Sequence, residues 1–161
     1  MLILNCGGTF NKRYNEIKGE LEVPYDNYAV DKILRSTGAL FNVAGAVYKD
    51  SLEMDATDRK MIANIIMESQ EKNFIVVHGT DTMKQTAEFL DAIFEDRRIV
   101  LTGAMKPLES DAFEASFNLG MAIGFVNAYD TNGVYIAMNG FVESWNKIEK
   151  NRTVGKFEVV R

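Results

Sequence analysis

The chain has 161 residues, a length that suits one domain and is short for two. Its composition, 47% hydrophobic and 25% charged, is that of a soluble globular domain, and a net charge of −5 without a basic stripe argues against a nucleic-acid partner. One cysteine and one histidine allow no intrachain disulfide and give almost no basis for a zinc site, so we expect no metal. Neither a signal peptide nor an apolar run long enough to cross a bilayer is evident, so we expect a cytoplasmic protein with no membrane partner.

Five apolar stretches are predicted to be strands, and they alternate with helical patterns. They are residues 1–5, 40–48, 73–78, 98–102 and 134–138. The first has the apolar centre that is typical of a strand buried on both faces. The alternation predicts an α/β fold of three layers, with helices on both sides of a mostly parallel sheet. No repeat or linker divides the sequence, so residues 1–161 are expected to form one domain without a second.

Apolar residues at helical spacing predict one helix in each of the four intervals between these strands. Asn27 and Asp55 are the predicted N-caps of the first two helices. The polar segment 10–22 is expected to form a mobile loop beside the first turn, and residues 156–161 are expected to form one more short strand. The faces assigned to the core are Val30, Ile33 and Leu34; Met61, Ile62, Ile65 and Ile66; Met83, Ala87, Leu90 and Phe94; and Phe117, Met121 and Phe125.

Small polar residues follow the predicted strands. In an open α/β sheet, ligands bind outside the carboxyl ends of the strands. Residues 6–9, 50–51, 79–82, 103–105 and 139–140 occupy those positions, which favours a site for a small polar ligand. The glycine patterns of dinucleotide- and phosphate-binding loops are missing, so we expect no such cofactor.

The turn Gly7-Gly8-Thr9 would let backbone amides approach a ligand closely, because glycine has no Cβ. Thr9 would serve as a nucleophile if a base activated its hydroxyl. The alternative interpretation is an ordinary turn in which that hydroxyl bonds only the backbone.

The segment 78–82, written HGTDT, follows a buried strand and opens a helix. Thr80 beside Asp81 would be able to orient a water molecule or relay a proton there, and the alternative is an ordinary helix N-cap. His78 is expected to be a packed structural residue. Nothing local distinguishes Lys150 from a solvated lysine, or Ser51 from an ordinary serine.

In order and spacing, these pieces resemble the L-asparaginase family over nearly the whole chain. The most specific part is the G-G-T motif followed by H-G-T-D-T-M. The resemblance implies the N-terminal domain of that family and the hydrolysis, without a cofactor, of the side-chain amide of asparagine or a related small amide. The segments that carry it are Gly7-Gly8-Thr9, Asp50-Ser51, His78-Gly79-Thr80-Asp81-Thr82-Met83, Leu101-Thr102-Gly103-Ala104-Met105, Asp111 with Asn118, and Met138-Asn139.

The resemblance also implies roles for individual residues. Thr9 matches the nucleophile that forms an acyl-enzyme, and Thr80 matches a second threonine that a lysine activates. Lys150 matches that lysine, since it lies twelve residues after Met138 as in the family. The remaining matches are Asp81 for the substrate α-amino group, Ser51 for the α-carboxylate, and Gly8, Gly79 and Ala104 for the backbone around the substrate.

The sequence departs from the family pattern at several points. Leu52 stands where many members have a polar residue, and Cys6 replaces a common threonine or serine. The place of the family's lid tyrosine falls near Glu22, so Tyr14, or with less support Tyr25, would have to supply that side chain.

The chain ends close to where the family's first domain ends, so a second domain is not expected. Since relatives close their sites with neighbouring subunits, a homodimer or a larger homo-oligomer is expected. Two other hypotheses remain: a binding or regulatory module that senses a small amino acid without turnover, and a segment of a longer enzyme.

Overall fold

A computed structural model describes residues 1–160, and Arg161, the last residue of the predicted strand 156–161, lies outside them. Five strands form the parallel part of the central sheet: β1 (Leu2–Gly7), β4 (Asn42–Lys49), β5 (Asn73–Val77), β6 (Arg98–Thr102) and β7 (Gly133–Met138). All five predicted strands are therefore present, with ends shifted by at most two residues. Outside this parallel set lie β2 (Arg13–Asn15), β3 (Glu20–Glu22), β8 (Phe141–Ser144), β9 (Ile148–Asn151) and β10 (Lys156–Val159).

The central sheet has the order β4-β1-β5-β6-β7-β8, and only the edge strand β8 runs antiparallel to its neighbour. Asn139 and Gly140, both with positive φ, make the tight turn between β7 and β8. Asn-Gly is the strongest short-range hairpin signal, because both residues tolerate the left-handed conformation that this turn requires. The five strands predicted from the sequence do not include β8, because Asn139 and Gly140 are interpreted there only as candidates for the ligand edge.

Helices cover both faces of the sheet and make the three layers that the sequence predicts. They are α1 (Tyr28–Arg35), α2 (Ala56–Glu68), α3 (Met83–Asp91) and α4 (Ala112–Ala128). Successive strand residues point to opposite faces, so Leu4 packs in the cluster under α2 and α3, whereas Ile3 packs in the cluster under α1 and α4. None of the helices within residues 1–160 has the length and hydropathy needed to cross a bilayer.

Two of the predicted helix faces are wrong in part. In α4, Phe117 is 59% exposed, and the buried side consists of Ala115, Asn118, Leu119, Ala122 and Val126. Apolar residues occur around the whole circumference of this helix, so periodicity alone could not select the core side. In α2, Ile62 and Ile66 are buried, but Met61 is 46% exposed and Ile65 is only half-buried.

The two predicted N-caps behave differently. The Asp55 carboxylate accepts hydrogen bonds from the amides of Thr57 and Asp58, and the Asp58 carboxylate accepts one from the Asp55 amide, which completes a capping box. Asn27 occupies the cap position of α1, but its side-chain oxygen accepts from Asn5 and from the Tyr48 hydroxyl instead. Asn27 is half-buried, and its side chain takes the partners that tertiary packing supplies instead of the helix end.

The segment that was expected to be a mobile loop is ordered secondary structure. After a 3₁₀ turn at Thr9–Asn11, β2 and β3 pair as an antiparallel hairpin. Ion pairs from Lys12 to Asp50 and from Arg13 to Asp26 hold its base. Its local sequence lacks an apolar alternation, so its order depends on these longer-range contacts.

Gly120 lies on the exposed side of α4, where a Cβ would meet no atom within 4 Å. Gly120→Ala is expected to raise the free energy of unfolding by about 1 kcal/mol, because alanine loses less backbone entropy in a helix. Urea denaturation at low protein concentration measures this. Gly38→Ala is the matched control: its site is equally open but has φ +70°, so that change should destabilise. A loss of stability in Gly120→Ala would contradict the exposed position of this residue.

Candidate active site

Glycines allow the turns that follow the parallel strands to approach one another closely. A Cβ on Gly8 would lie 2.4 Å from the Cα and N of Gly79, and a Cβ on Gly79 would lie 2.6 Å from the Ser51 side chain. A Cβ on Gly103 would lie 2.4 Å from the His78 carbonyl oxygen. The turns after β1, β4, β5 and β6 are thus in direct backbone contact at one edge of the sheet.

Because Gly8 and Gly79 are in contact, the residues that follow them in the chain, Thr9 and Thr80, lie on adjacent turns. Thr9 is half-buried at the start of its 3₁₀ turn, whereas Thr80 is 5% exposed. The two threonines singled out from the sequence therefore lie at the same sheet edge.

Lys150 reaches this edge from the β9–β10 hairpin. Its Nζ lies 2.8 Å from Thr80 Oγ1 and 3.0 Å from Asp81 Oδ1, and its side chain is 15% exposed. Ile148 is buried in the core, and strand alternation puts Lys150, two residues later, on the same inward side. The interpretation of Lys150 as a solvated surface lysine is therefore wrong.

Arg152 is a second cation at the site, and it is not among the site residues predicted from the sequence. One guanidinium nitrogen lies 2.8 Å from Asp81 Oδ1, the carboxylate oxygen that Lys150 also bonds. Within residues 1–160, Asp81 Oδ2 accepts no hydrogen bond, so it is free for a cationic group of a ligand. The sequence feature that could have identified Arg152 is its spacing from Lys150. The two cations are two residues apart at the end of β9, and alternate residues of a strand lie on the same face.

Ser51 is almost completely buried, with 1% exposure. Its hydroxyl oxygen accepts hydrogen bonds from the amides of Asp81 and Thr82, at 3.2 and 3.3 Å, and the Thr82 hydroxyl donates to the Ser51 carbonyl. Two amides at the start of α3 are therefore occupied by Ser51, whose own hydroxyl proton remains available to a ligand.

Asn118 and Asn139 fix the turns on the other side of the site. Asn118 donates to the Gly103 carbonyl and accepts from the Asn139 amide, while the Asn139 side chain accepts from the amide of Phe157. This chain of bonds ties the end of β6 to the hairpin that carries Lys150. Ala104, next to Gly103, is fully buried.

His78 is completely buried beneath the site, as expected for a structural residue. Its Nδ1 lies 2.7 Å from the Gly79 carbonyl and its Nε2 lies 2.9 Å from the Thr86 hydroxyl. A carbonyl oxygen can only accept, so Nδ1 carries the proton and Nε2 accepts from Thr86. Desolvation lowers the pKa of His78 to about 4, although the bond to Gly79 favours the charged form.

The buried imidazole predicts a specific pH dependence of stability. Because the pKa is lowered from 6.5 to about 4, the unfolded chain binds more protons between these values. Neutral His78 therefore adds about 3 kcal/mol to the free energy of unfolding above pH 6.5. This contribution is lost as the pH falls from 6.5 to 4. Urea denaturation across this range measures it, and His78→Gln is the control that should remove the slope above about pH 5, where carboxyl groups do not yet titrate. Since this is the only histidine, a flat wild-type profile would contradict the prediction.

The proposed lid tyrosines lie on or beside the β2–β3 hairpin. Tyr14 is 55% exposed, its amide donates to Glu109, and within residues 1–160 it has no hydrogen bond to Thr9, Thr80 or Lys150. Tyr25 is 83% exposed and lines a cleft of about 610 Å³ together with Leu52. Asp50, the residue before Ser51, lines the same cleft as Tyr25. Within residues 1–160, no group of three or more acidic, histidine or cysteine side chains is arranged to hold a metal ion.

Comparison with known proteins gives a family match over almost the whole chain. The model described as "Asparaginase, N-terminal" matches residues 1–157. L-asparaginase 2 of Escherichia coli is 39% identical over 85 residues, which are 50% of this chain and 24% of that protein. The glutaminase-asparaginase of Acinetobacter glutaminasificans is 25% identical over 138 residues, which are 80% of this chain and 41% of that protein. The chain therefore spans less than half the length of these curated relatives.

A solved structure agrees with the fold. The thermostable L-asparaginase from Thermococcus kodakarensis superposes with a TM-score of 0.84 at 23% identity, covering 98% of this chain and 50% of that one. The arrangement of sheet and helices described above is thus shared with that enzyme. Because the family model covers residues 1–157 of the 161, this chain belongs to the asparaginase family and corresponds to its N-terminal domain.

Proposed function

We propose that the chain is an amidohydrolase that converts the side-chain amide of asparagine, or of a related small amino acid, to a carboxylate and ammonia. The observation that carries this proposal is the contact of 2.8 Å between Lys150 Nζ and Thr80 Oγ1, made by a lysine that is only 15% exposed. Folding has brought a hydroxyl and an amine together at the ligand edge, although they are 70 residues apart. Such a pair can move a proton when the amine is neutral.

In the proposed mechanism, the Thr9 hydroxyl attacks the amide carbon and forms an ester. Its proton passes to the departing nitrogen, which leaves as ammonia. Backbone amides of the glycine-rich turns, including that of Ala104, are suited to hold the oxyanion. Thr80 and Lys150 then take a proton from a water molecule, which hydrolyses the ester, releases the carboxylate and restores Thr9.

The charged groups at the site favour an amino-acid substrate. Asp81 Oδ2, which bonds no other residue of the described chain, is suited to an α-ammonium group. The Ser51 hydroxyl and the Arg152 guanidinium offer donors to an α-carboxylate. A zwitterionic amide would therefore find both of its charges matched.

A second candidate is a module that binds a small amino acid without turnover. It is supported by Tyr14, which is 55% exposed and has no hydrogen bond to either threonine within the described residues, and by Leu52, which is 68% exposed. With such a lid, the pocket would hold aspartate or asparagine but would not position the Thr9 hydroxyl for attack on an amide.

Ammonia release from a panel of amino-acid amides tests these two candidates. We expect release by the wild type and its loss in Thr80→Val, which keeps the shape of the side chain but removes the hydroxyl. Thermal shift with aspartate and asparagine is measured in parallel, since a ligand that binds only the folded state raises stability. Stabilisation without ammonia release would support the binding module, and the absence of both would contradict both candidates.

We also propose a reducing compartment, the cytoplasm, as the site of action, because the one cysteine of the sequence allows no disulfide within the chain. The single cysteine, Cys6, is fully buried, and burial raises the pKa of its thiol. The thiol is therefore protected and unreactive.

A further inference from the structure

Two buried asparagines lie beside the turn that carries Thr9, and the mechanism proposed above does not use them. Asn5 is 0% exposed near the end of β1, and Asn11 is 2% exposed at the end of the 3₁₀ turn. Asparagine is mostly an exposed residue, and burial of its amide is costly unless the donors and acceptors are bonded. Two such side chains next to the proposed nucleophile therefore point to a specific role at that turn.

The two side chains bond each other and the backbone of Gly7. Asn5 Nδ2 donates to Asn11 Oδ1 at 3.0 Å, and Asn11 Nδ2 donates to Asn5 Oδ1 at 2.8 Å. Asn5 Oδ1 also accepts from the Gly7 amide at 3.1 Å, and Asn11 Nδ2 also donates to the Gly7 carbonyl at 2.8 Å. One cyclic amide pair thus holds both the N–H and the C=O of Gly7. We call Asn5 and Asn11 the Asn clamp.

This arrangement requires an amide side chain at both positions of the clamp. The Gly7 N–H needs an acceptor and the Gly7 C=O needs a donor, so these two groups fix the orientation of each side-chain amide. A carboxylate would supply no donor, and an aliphatic side chain would supply neither group. Asn5 Nδ2 also lies 3.1 Å from the Asp26 carbonyl oxygen and 3.1 Å from Asn27 Oδ1, which anchors the clamp to the segment before α1.

The strand ladder is irregular at the turn that the clamp holds. The register between β1 and β4 shifts between Asn5 and Gly7. Gly7 and Gly8 have φ values of 95° and 74°, and glycine has more conformational freedom to lose than any other residue. Asn11 adds a further bond, because its backbone amide donates to the Gly8 carbonyl at 3.1 Å. The clamp therefore ties both glycines before Thr9 to a residue after it, and a buried network whose groups are all bonded is rigid.

We propose that Asn5 and Asn11 are positioning residues that act as one unit, fixing the Gly7 peptide and thereby directing the Thr9 hydroxyl at the amide carbon of the substrate. This inference rests on the proposed function, in which Thr9 is the nucleophile. A displacement of about 1 Å at a reacting group can cost about 10²-fold in rate. The groups suited to bind the charges of the substrate lie outside this turn. Loss of the clamp is therefore expected to lower kcat and to leave KM nearly unchanged.

Steady-state ammonia release by Asn5→Leu, Asn11→Leu and the double variant tests the clamp. Leucine keeps the branched shape of asparagine but forms no hydrogen bond. We expect kcat to fall about 10²-fold in each single variant, and no further in the double variant, because losses at residues that act as a unit are not additive. The double variant leaves neither amide unpaired, so it is the one best suited to stay folded.

Asn64→Leu is the matched control, since it makes the same replacement at an exposed position of α2 and should keep the kcat of the wild type. Unchanged kcat in folded clamp variants, a rise in KM alone, or losses that multiply in the double variant would overturn this inference. If the wild type releases no ammonia, the proposed function fails and this inference fails with it. An active wild type with equally active clamp variants would overturn this inference alone.

Amide hydrogen exchange tests the clamp independently of turnover. In the double variant, the Gly7 amide has lost its acceptor and should exchange faster than in the wild type. The Ile3 amide, in the middle of β1, should keep its protection, which shows that the strand remains folded. Equal exchange of the Gly7 amide in both proteins would overturn the clamp.

Discussion

Gly8→Ala is expected to lower the free energy of unfolding by more than about 3 kcal/mol, which is a large share of the stability of a small domain. Gly8 has φ 74° and ψ −175°, a conformation that essentially only glycine adopts. The added Cβ would also lie 2.4 Å from backbone atoms of Gly79, which cannot move away as a flexible side chain would. Both effects act at the contact between the turns that carry Thr9 and Thr80.

Urea denaturation measures this loss, and Gly155→Ala separates its two causes. Gly155 also has a positive φ, of 65°, but a Cβ there would meet nothing within 4 Å. Its replacement should therefore cost only the conformational strain, about 1–2 kcal/mol. If Gly8→Ala were no more harmful than Gly155→Ala, the two turns would not be in contact. A Gly8→Ala protein that remains folded should also have lost ammonia release.

Lys150→Met is expected to reduce ammonia release by about 10²- to 10⁴-fold, the usual contribution of a positioned acid or base. Methionine retains much of the apolar stem of lysine but cannot exchange a proton with Thr80. Because Arg152 still pairs with Asp81, the hairpin should keep its position and the protein should stay folded. The measurement is ammonia release under saturating substrate, together with circular dichroism to check the fold.

The control for Lys150→Met is Lys147→Met, which removes an exposed lysine three residues earlier in the same segment. It should leave turnover unchanged. Equal activity of Lys150→Met and the wild type would remove Lys150 from the mechanism. Equal loss in both variants would instead point to a general effect of charge on the hairpin.

Local patterns in the sequence were enough to predict the α/β class and all five parallel strands. Buried strands such as β5 and β6 are short, continuous apolar runs, and Asp55 lies where a capping box requires an acid. The residues around the candidate site were also predictable in part, since the turns after parallel strands meet at one edge of the sheet. These features depend on near neighbours in the chain, so the sequence reveals them directly.

The tertiary structure alone decided which side of α4 is buried and where Lys150 lies. Residues 115–128 have no charged side chain and carry apolar residues in all directions, so only packing against the sheet selects Leu119 and leaves Phe117 exposed. Lys150 and Arg152 look like solvated cations in their own segment, and they reach Asp81 only because Ile148 and Phe157 anchor the hairpin in the core. The physical reason is the same in each case: the energy of these placements comes from contacts between residues far apart in the chain, which no local pattern encodes.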